Sequence, residues 1–350
     1  MKLLKKHIAV AASLLLCTLA QTSCSMIDDD LENCGKDYEL NYELRLITNV
    51  QTEIETQLST ETESAVAEAL RQHLQNIFTD YAHDVDLSFY DTGVNDIRQY
   101  HESTTMNANQ RSYTIYLPVQ KYMHLAAANL KDNSIVSLSG DEYCHSSNLK
   151  QKDAASDNIL PSHTTGLFTA RQPMEVVSNQ DQTFNVKLYM ANCAAALVLE
   201  PRNHQTKDIQ VYTTGFATSF NVKDSTYVYG ASSPLIKAET VTTPETGHWS
   251  FCSVNFPSKD PSSRVVIETV SPFIAGEADE KIWEFQVLVT NDDNTVTKTV
   301  LGIRKPLRAG QLMIIKGFID DDGAVRSYDN TVGVSVMLDW SEGEHHDVEL

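Results

Sequence analysis

Cys24 is the residue whose surroundings specify a chemistry most clearly. Lys2, Lys5 and Lys6 form a basic start. Residues 8–20 are apolar except for Ser13 and Thr18, and Gln21, Thr22 and Ser23 lead into the cysteine. An apolar run of about thirteen residues is too short to span a bilayer, which takes roughly twenty. It has the length of a secretion-signal core. A thiol placed just after such a core is positioned for S-diacylglycerol attachment, and cleavage before it frees an amine for N-palmitoylation. Thr22 and Ser23 are small, as such a site needs, whereas Gln21 departs from the branched apolar residue expected three positions before the cysteine. Two alternatives stay open: Cys17, which has the bulky Leu16 before it, and ordinary cleavage near Ser23 or Ser25. The reading taken is a signal peptide at 1–23 and an acylated Cys24. Two or more acyl chains give stable membrane attachment where one gives marginal binding.

Nothing else in the chain assembles into a reaction centre. GxSxG, HExxH, GxGxxG and phosphate-cradling glycine loops are all missing. His345 and His346, flanked by Glu344 and Asp347, have metal-ligand chemistry but sit in an acidic tail. Asp320, Asp321 and Asp322 before Gly323 lack the alternating acids and closing Glu of a calcium loop, so they read as a turn. Trp249, Trp283 and Trp340 have the chemistry of a sugar-stacking platform. Two of them lie on alternating apolar strand faces, which favours burial. No catalytic residue, metal or cofactor is expected.

The 350 residues carry 27 basic and 47 acidic groups. Removing residues 1–23 takes away three lysines and no acid, leaving a formal charge of about −23. That excludes a nucleic-acid partner, whose phosphates need a basic face. It also disfavours adsorption to anionic lipid, so a membrane link has to be covalent. Ser25 after Cys24 is not the aspartate of an inner-membrane retention signal, which favours the outer membrane. Beyond the lipid site remain Cys34, Cys144, Cys193 and Cys252. Export permits disulfides, and four cysteines allow three pairings. The apolar surroundings of Cys193 and Cys252 equally suit buried free thiols.

The elements that would follow the lipid site are mostly strands. Residues 24–36 form a polar tether that reaches roughly 45 Å at about 3.3 Å per residue. Leu40, Tyr42, Leu44 and Leu46 alternate with polar residues, the period of a half-buried strand. Thr60 and Glu63 then make a capping box. Val66, Leu70, Leu74, Ile77, Phe78 and Tyr81 continue at helical spacing. Strands are expected at 85–90 and 112–118, with 131–161 loop-like. The polar run at 178–182 suggests a boundary between domains at 37–180 and 181–350. Beyond it come strands near 184–190, 194–199, 209–212, 226–229, 248–254 and 265–270, and a hairpin turning at 291–294. Strands at 312–319 and 331–340 close the series. Many short strands separated by turns mean a mainly β fold of two tandem β-sandwich domains with one helix in the first.

In this order the features resemble the anchor subunits of type V fimbriae, the lipoproteins at the base of Bacteroidota fimbriae. Cys24 is followed by Asp29-Asp30-Leu31-x-x-Cys34 and by the alternating strand 37–46. Next come Leu87-Ser88-Phe89-Tyr90-Asp91, Leu117-Pro118 with Tyr122, and Leu167-Phe168 before Val176. Phe184-Asn185-Val186-Lys187-Leu188 opens the second half, and Leu307-x-Ala309-Gly310 leads to Trp340. Asp28-Asp29-Asp30 resembles the acidic tract that sends some lipoproteins of that group to the outer face, and equally reads as a solvated linker. The resemblance implies two transthyretin-like sandwiches, no enzyme activity, and a fimbrial stalk subunit (fimbrilin) as partner. It also implies assembly by strand exchange, in which main-chain hydrogen bonds give affinity and side-chain pockets give specificity. Lipid and first strand share one N-terminal segment, so cutting after Arg45 would release the protein. Such a subunit is expected to keep its first strand and to offer its last one, with Val332, Val334, Val336, Leu338 and Trp340 along one face. Truncation after Gly323 is expected either to leave a folded, lipidated protein that no longer retains stalks or, if that strand is ordinary core of the second sandwich, to unfold it. The rival expectations are a surface glycan-binding lipoprotein and a fimbrial stalk or tip subunit.

Mass spectrometry of the native N-terminus tests the first step. The expected product begins at Cys24 with its lipid mass. An unmodified product starting after Arg45 or Arg71 would exclude it.

Overall fold

The computed structural model describes residues 37–47, 64–78, 82–93, 95–106, 112–140, 142–152, 159–178, 180, 182–202, 204–230, 234–260 and 281–339. Cys24, Cys34, the Thr60/Glu63 box, Tyr81, the expected strand at 265–270, Trp340 and His345–His346 lie outside these residues. The first part of the chain runs β1 (Asp37–Ile47), α1 (Ser64–Ile77), β2 (Asp84–Asp91), β3 (Arg98–Thr105), β4 (Ser112–Pro118) and β5 (Lys121–Ala128). It continues with β6 (Val136–Ser139), β7 (Asn148–Gln151), β8 (Ile159–Pro161), β9 (Phe168–Glu175) and β10 (Gln182–Met190). Then come β11 (Cys193–Glu200), β12 (Thr206–Thr214), β13 (Ser219–Asn221), β14 (Thr226–Val228), β15 (Leu235–Lys237), β16 (Glu239–Thr242) and β17 (Trp249–Asn255). The last are β18 (Trp283–Asn291), β19 (Val296–Ile303), β20 (Leu312–Ile319), β21 (Val325–Ser327) and β22 (Gly333–Asp339). Among the described residues α1 is the one α-helix, and the protein is mainly β.

The strands form four sheets. A seven-stranded sheet has the order β3-β2-β5-β9-β10-β1-β4, and a four-stranded sheet the order β14-β13-β7-β6. Tyr90, Leu125 and Ala127 of the first meet Val136, Leu149 and Phe220 of the second in one buried cluster. These two sheets make up the first unit. The second unit is a five-stranded sheet, β16-β17-β11-β20-β21, against a six-stranded sheet, β22-β19-β18-β12-β15-β8. Leu197, Phe251 and Ile315 there face Val211, Phe285 and Leu301.

Side-chain alternation explains these layers. On β10, Val186, Leu188 and Met190 are buried while Thr183, Asn185, Lys187 and Tyr189 are exposed. β11 reads Cys-Ala-Ala-Ala-Leu-Val-Leu and is buried on both faces. Its odd-numbered residues join the sandwich core, and Ala194, Ala196 and Val198 join the cluster containing α1. The helix buries the stripe Val66, Leu70, Leu74 and Ile77. That stripe packs among residues of the seven-stranded sheet and of β11 and β17. The helix therefore touches both units and is not the property of the first.

Two expectations change here. The segment 131–161 is not a plain loop, because β6, β7 and β8 lie within it. Their three or four residues are too short to show a period. The expected division at 180/181 falls between β9 and β10, which pair at Tyr189↔Thr169 and Met190↔Phe168 in the same sheet. The chain leaves that sheet at Ala191 and Asn192. Its halves also exchange strands. β8 pairs in parallel with β15 of the second unit, and β13 pairs with β7 of the first.

One exchange is steered by Gly215. Its φ is +96°, and a Cβ there would lie 2.7 Å from Trp283 Cα. Both the conformation and the close approach require glycine.

Two histidines are wholly buried. The ring of His124 stacks on Phe89 at 4.3 Å and bonds the Ser88 carbonyl through Nδ1 at 3.0 Å. His163 meets Phe256 edge-on at 5.0 Å, and neither ring nitrogen has a hydrogen-bond partner. Desolvation lowers both pKa values to about 3. Each ring is neutral in the folded state and takes up its proton only on unfolding. Stability is therefore full above about pH 6.5 and falls as pH drops toward 3, by on the order of 4 kcal/mol per histidine. Urea unfolding at pH 7.5 and pH 5 is expected to show lower stability at pH 5, and His163→Phe is expected to flatten that dependence.

Candidate functional site

The two ends of the described chain occupy different kinds of place. β1 lies inside the seven-stranded sheet. It pairs in parallel with β10 from Leu40↔Gln182 to Ile47↔Tyr189 and antiparallel with β4 from Asp37↔Pro118 to Glu43↔Ser112. Among the described residues β22 is an edge strand whose one strand neighbour is β19, in register from Gly302↔Gly333 to Val296↔Asp339.

The alternating residues expected on the last strand share the face of buried β19 residues. Val334 lies opposite Leu301, Val336 opposite Thr299, and Leu338 opposite Thr297. Their burial is nevertheless slight. Val332 is buried in the sandwich core, Val336 is half-buried, and Val334 is 41% exposed. The β19 residues beneath are satisfied elsewhere. Thr299 Oγ1 accepts the Val325 N–H at 3.0 Å, and Thr297 Oγ1 donates to the Asp322 carbonyl at 3.1 Å. Asp329 launches the strand. Its carboxylate accepts the backbone N–H and the hydroxyl of Thr331 at 2.8 and 2.7 Å, and these bonds hold its pKa below the usual carboxylate range.

β22 ends beside a loop cluster at the far end of β11 from the Ala191–Asn192 crossing. There His204 bonds Asn291 Oδ1 through Nε2 at 2.8 Å and the Asp321 carbonyl through Nδ1 at 3.2 Å. Gly323 closes the turn with φ of +78°. Arg202 lies over the Phe318 ring at 3.1 Å, and Arg326 pairs with Asp320 at 2.6 Å.

Edge chemistry separates β22 and β4 from the other sheet edges. β3 carries Arg98, His101 and Glu102, and it bulges at Gln99, the extra residue between the pairs Phe89↔Tyr100 and Tyr90↔Arg98. Charges and bulges blunt an edge against further pairing. β6, β8, β14, β16 and β21 have only three or four residues. β4 has no charge over seven residues, and β22 none before Asp339. Nothing local in the sequence marks β4 as an edge, because edge position is decided by distant pairing.

Other candidates are chemically quiet. Cys144, Cys193 and Cys252 are buried free thiols. Burial pushes Cys144 and Cys252 up to about 12, and Cys193 well above its ordinary value. Trp283 is fully buried, with Nε1 donating to the Lys305 carbonyl at 2.9 Å, so it offers no platform for a sugar. Trp249 is half-buried and stacks on Phe251. Among the described residues no group of three His, Cys, Asp or Glu side chains is placed to hold a metal, and no helix is long and apolar enough to cross a membrane.

A family model described as "Fimbrillin-A associated anchor proteins Mfa1 and Mfa2" matches residues 53–345. No curated protein matches the sequence. A candidate adhesin from Bacteroides ovatus, solved at 2.50 Å, superposes with a TM-score of 0.52 at 10% identity, covering 88% of this chain and 96% of its own. That likeness shows a shared fold. The fimbrial anchor protein Mfa2 from Porphyromonas gingivalis has a TM-score of 0.48 at 11% identity, covering 86% of this chain and 98% of its own.

The edge geometry makes its own prediction. Val332→Ala is expected to cost about 1–2 kcal/mol of buried aliphatic surface, whereas Val334→Ala is expected to stay within about 0.5 kcal/mol. Denaturant unfolding of the two variants measures the difference.

Proposed function

Since this chain belongs to the fimbrillin-A associated anchor protein family, we propose that it is a lipoprotein holding a fimbrium to the outer membrane. Cys24 carries the lipid, and residues 24–36 tether the folded part. The first unit takes most of the chain before the crossing at Ala191 and Asn192 and the second most of the chain after it, with β8, β13 and β14 exchanged between them. The role is structural and involves no catalysis.

The observation carrying this reading is the contrast between the two terminal strands. β1 is paired on both sides. Removing it would open a gap between β10 and β4 and cut the lipid from the protein. It is therefore kept. β22 sits at an edge, and of its described neighbourhood only Val332 enters the core. Detaching such a strand breaks seven residue pairings and uncovers little apolar surface. The partner regains those pairings when the strand adds to another sheet. We assign Val332, Val334, Val336, Leu338 and Trp340 as the face offered to a fimbrial stalk subunit. The exit points suit this division of labour. β1 begins beside the start of β10, and β22 ends beside the loops that follow β11. Each lies about 25–30 Å of strand from the junction, at about 3.3 Å per residue.

The burial of β21 decides where a truncation should fall. Cutting after Gly323 would also remove buried Ala324 and Val325, confounding partner binding with unfolding. Cutting after Asn330 spares β21. The expected product is folded, lipidated and unable to retain stalks. Normal stalk retention by that product would refute the donor assignment.

A further inference from the structure

The chain passes between the two units five times. β7 lies in the first unit, β8 in the second, β9 and β10 in the first, β11 and β12 in the second, β13 and β14 in the first, and β15 to β22 in the second. Tandem domains joined by a linker are crossed once. Here the described parts of four of the crossings are also hydrogen-bonded to segments distant in sequence. Asn192 is wholly buried. Its Oδ1 accepts the Leu167 N–H at 3.2 Å, its Nδ2 donates to the Thr165 carbonyl at 3.0 Å, and its own carbonyl accepts the Gly310 N–H at 2.9 Å. That one side chain joins the β8–β9 crossing to the β10–β11 crossing. Tyr227, on the exchanged β14, donates to the Ala191 carbonyl at 2.9 Å. Tyr229, just beyond it, donates to the Ser258 carbonyl at 2.8 Å. Ser162 Oγ accepts the Val254 N–H at 2.8 Å, and the His163 N–H returns to the Val254 carbonyl at 2.9 Å. Ala217 N–H reaches the Pro257 carbonyl at 3.0 Å.

We infer that the two units are one mechanical body, built to carry tension between the chain's ends without a hinge or a weak junction. Three features exclude independent motion. Sliding the units apart pulls β8 out of the six-stranded sheet and β13 with β14 out of the four-stranded one. It takes the buried amide of Asn192 from its Leu167 and Thr165 partners, and an unmade buried hydrogen bond costs more than a made one gains. It also splits the cluster in which Phe78, Met190, Val254 and Leu312 are buried together. The units therefore unfold together, and neither is a stable body once the other is lost. This inference goes beyond the anchoring role and stands whether or not Cys24 is acylated. Failure of the stalk-retention test leaves it intact, and its own failure leaves the anchoring role intact.

Pulling the unaltered full chain by its two ends in a single-molecule force experiment reads the answer directly. The expected trace has one main event releasing the chain from Asp37 to Asp339, roughly 100 nm at about 3.6 Å per residue. Two resolved events of roughly 50 nm each would overturn the inference, because each unit would then survive the loss of the other. Native-state hydrogen exchange on the same protein is the second measurement. Core amides of both units, together with those of β13, are expected to exchange through one common opening. Two exchange classes that divide at Ala191 and Asn192 would overturn it equally.

Discussion

The fold depends on how backbone polar groups are satisfied where the chain passes between its two units. Among the described residues of these crossings Ser162, His163, Ala191, Asn192 and Ala217 are buried. Every N–H and C=O there needs a partner, since leaving one unmade costs more than making it gains. Asn192 supplies an acceptor and two donors from a single side chain and meets loops that are distant in sequence. An apolar residue of similar size would fill the space and orphan the Leu167 N–H and the Thr165 carbonyl. Exchanged strands are held here by hydrogen bonds that run from the crossings to distant segments.

Around that junction the core is divided by a strand with no solvent face. β11 presents one set of side chains to the sandwich and the other to the helix cluster. Its small Ala194, Ala195 and Ala196 let neighbouring layers approach closely. The same dryness governs the titratable groups. The buried thiols are held protonated and the buried imidazoles neutral by desolvation.

The sheet edges connect the fold to the role of a fimbrial anchor. A β-protein that joins a polymer needs an unpaired strand edge, which is otherwise an aggregation hazard. This protein keeps most of its edges short, and it charges and bulges β3. β22 remains long and nearly uncharged, weakly committed to its own core, and remote from the junction. β4 shares the lack of charge but lies beside β1, the strand nearest the tether.

Much of this is legible in the residues themselves. The alternation in β1, β10 and β18, the helical stripe of α1 and the turn at Asp320–Gly323 follow from periods and turn chemistry that operate over a few residues. The acidic balance is an additive property, and by itself it narrows the functional classes. The short strands β6, β7, β8 and β13 are not legible, because three or four residues carry no period and their pairing energy comes from partners far along the chain. The polar strand β3 is hidden because an edge needs no apolar face. The boundary at 180/181 misleads for a related reason: a polar turn marks where the chain reverses, not which sheet its next strand joins. Tertiary structure alone decides that β1 is interior and β22 is an edge, that Asn192 is a hub, and that the halves interlock. Each of these is a matter of which distant backbone groups find one another, and that is set by packing the whole chain at once.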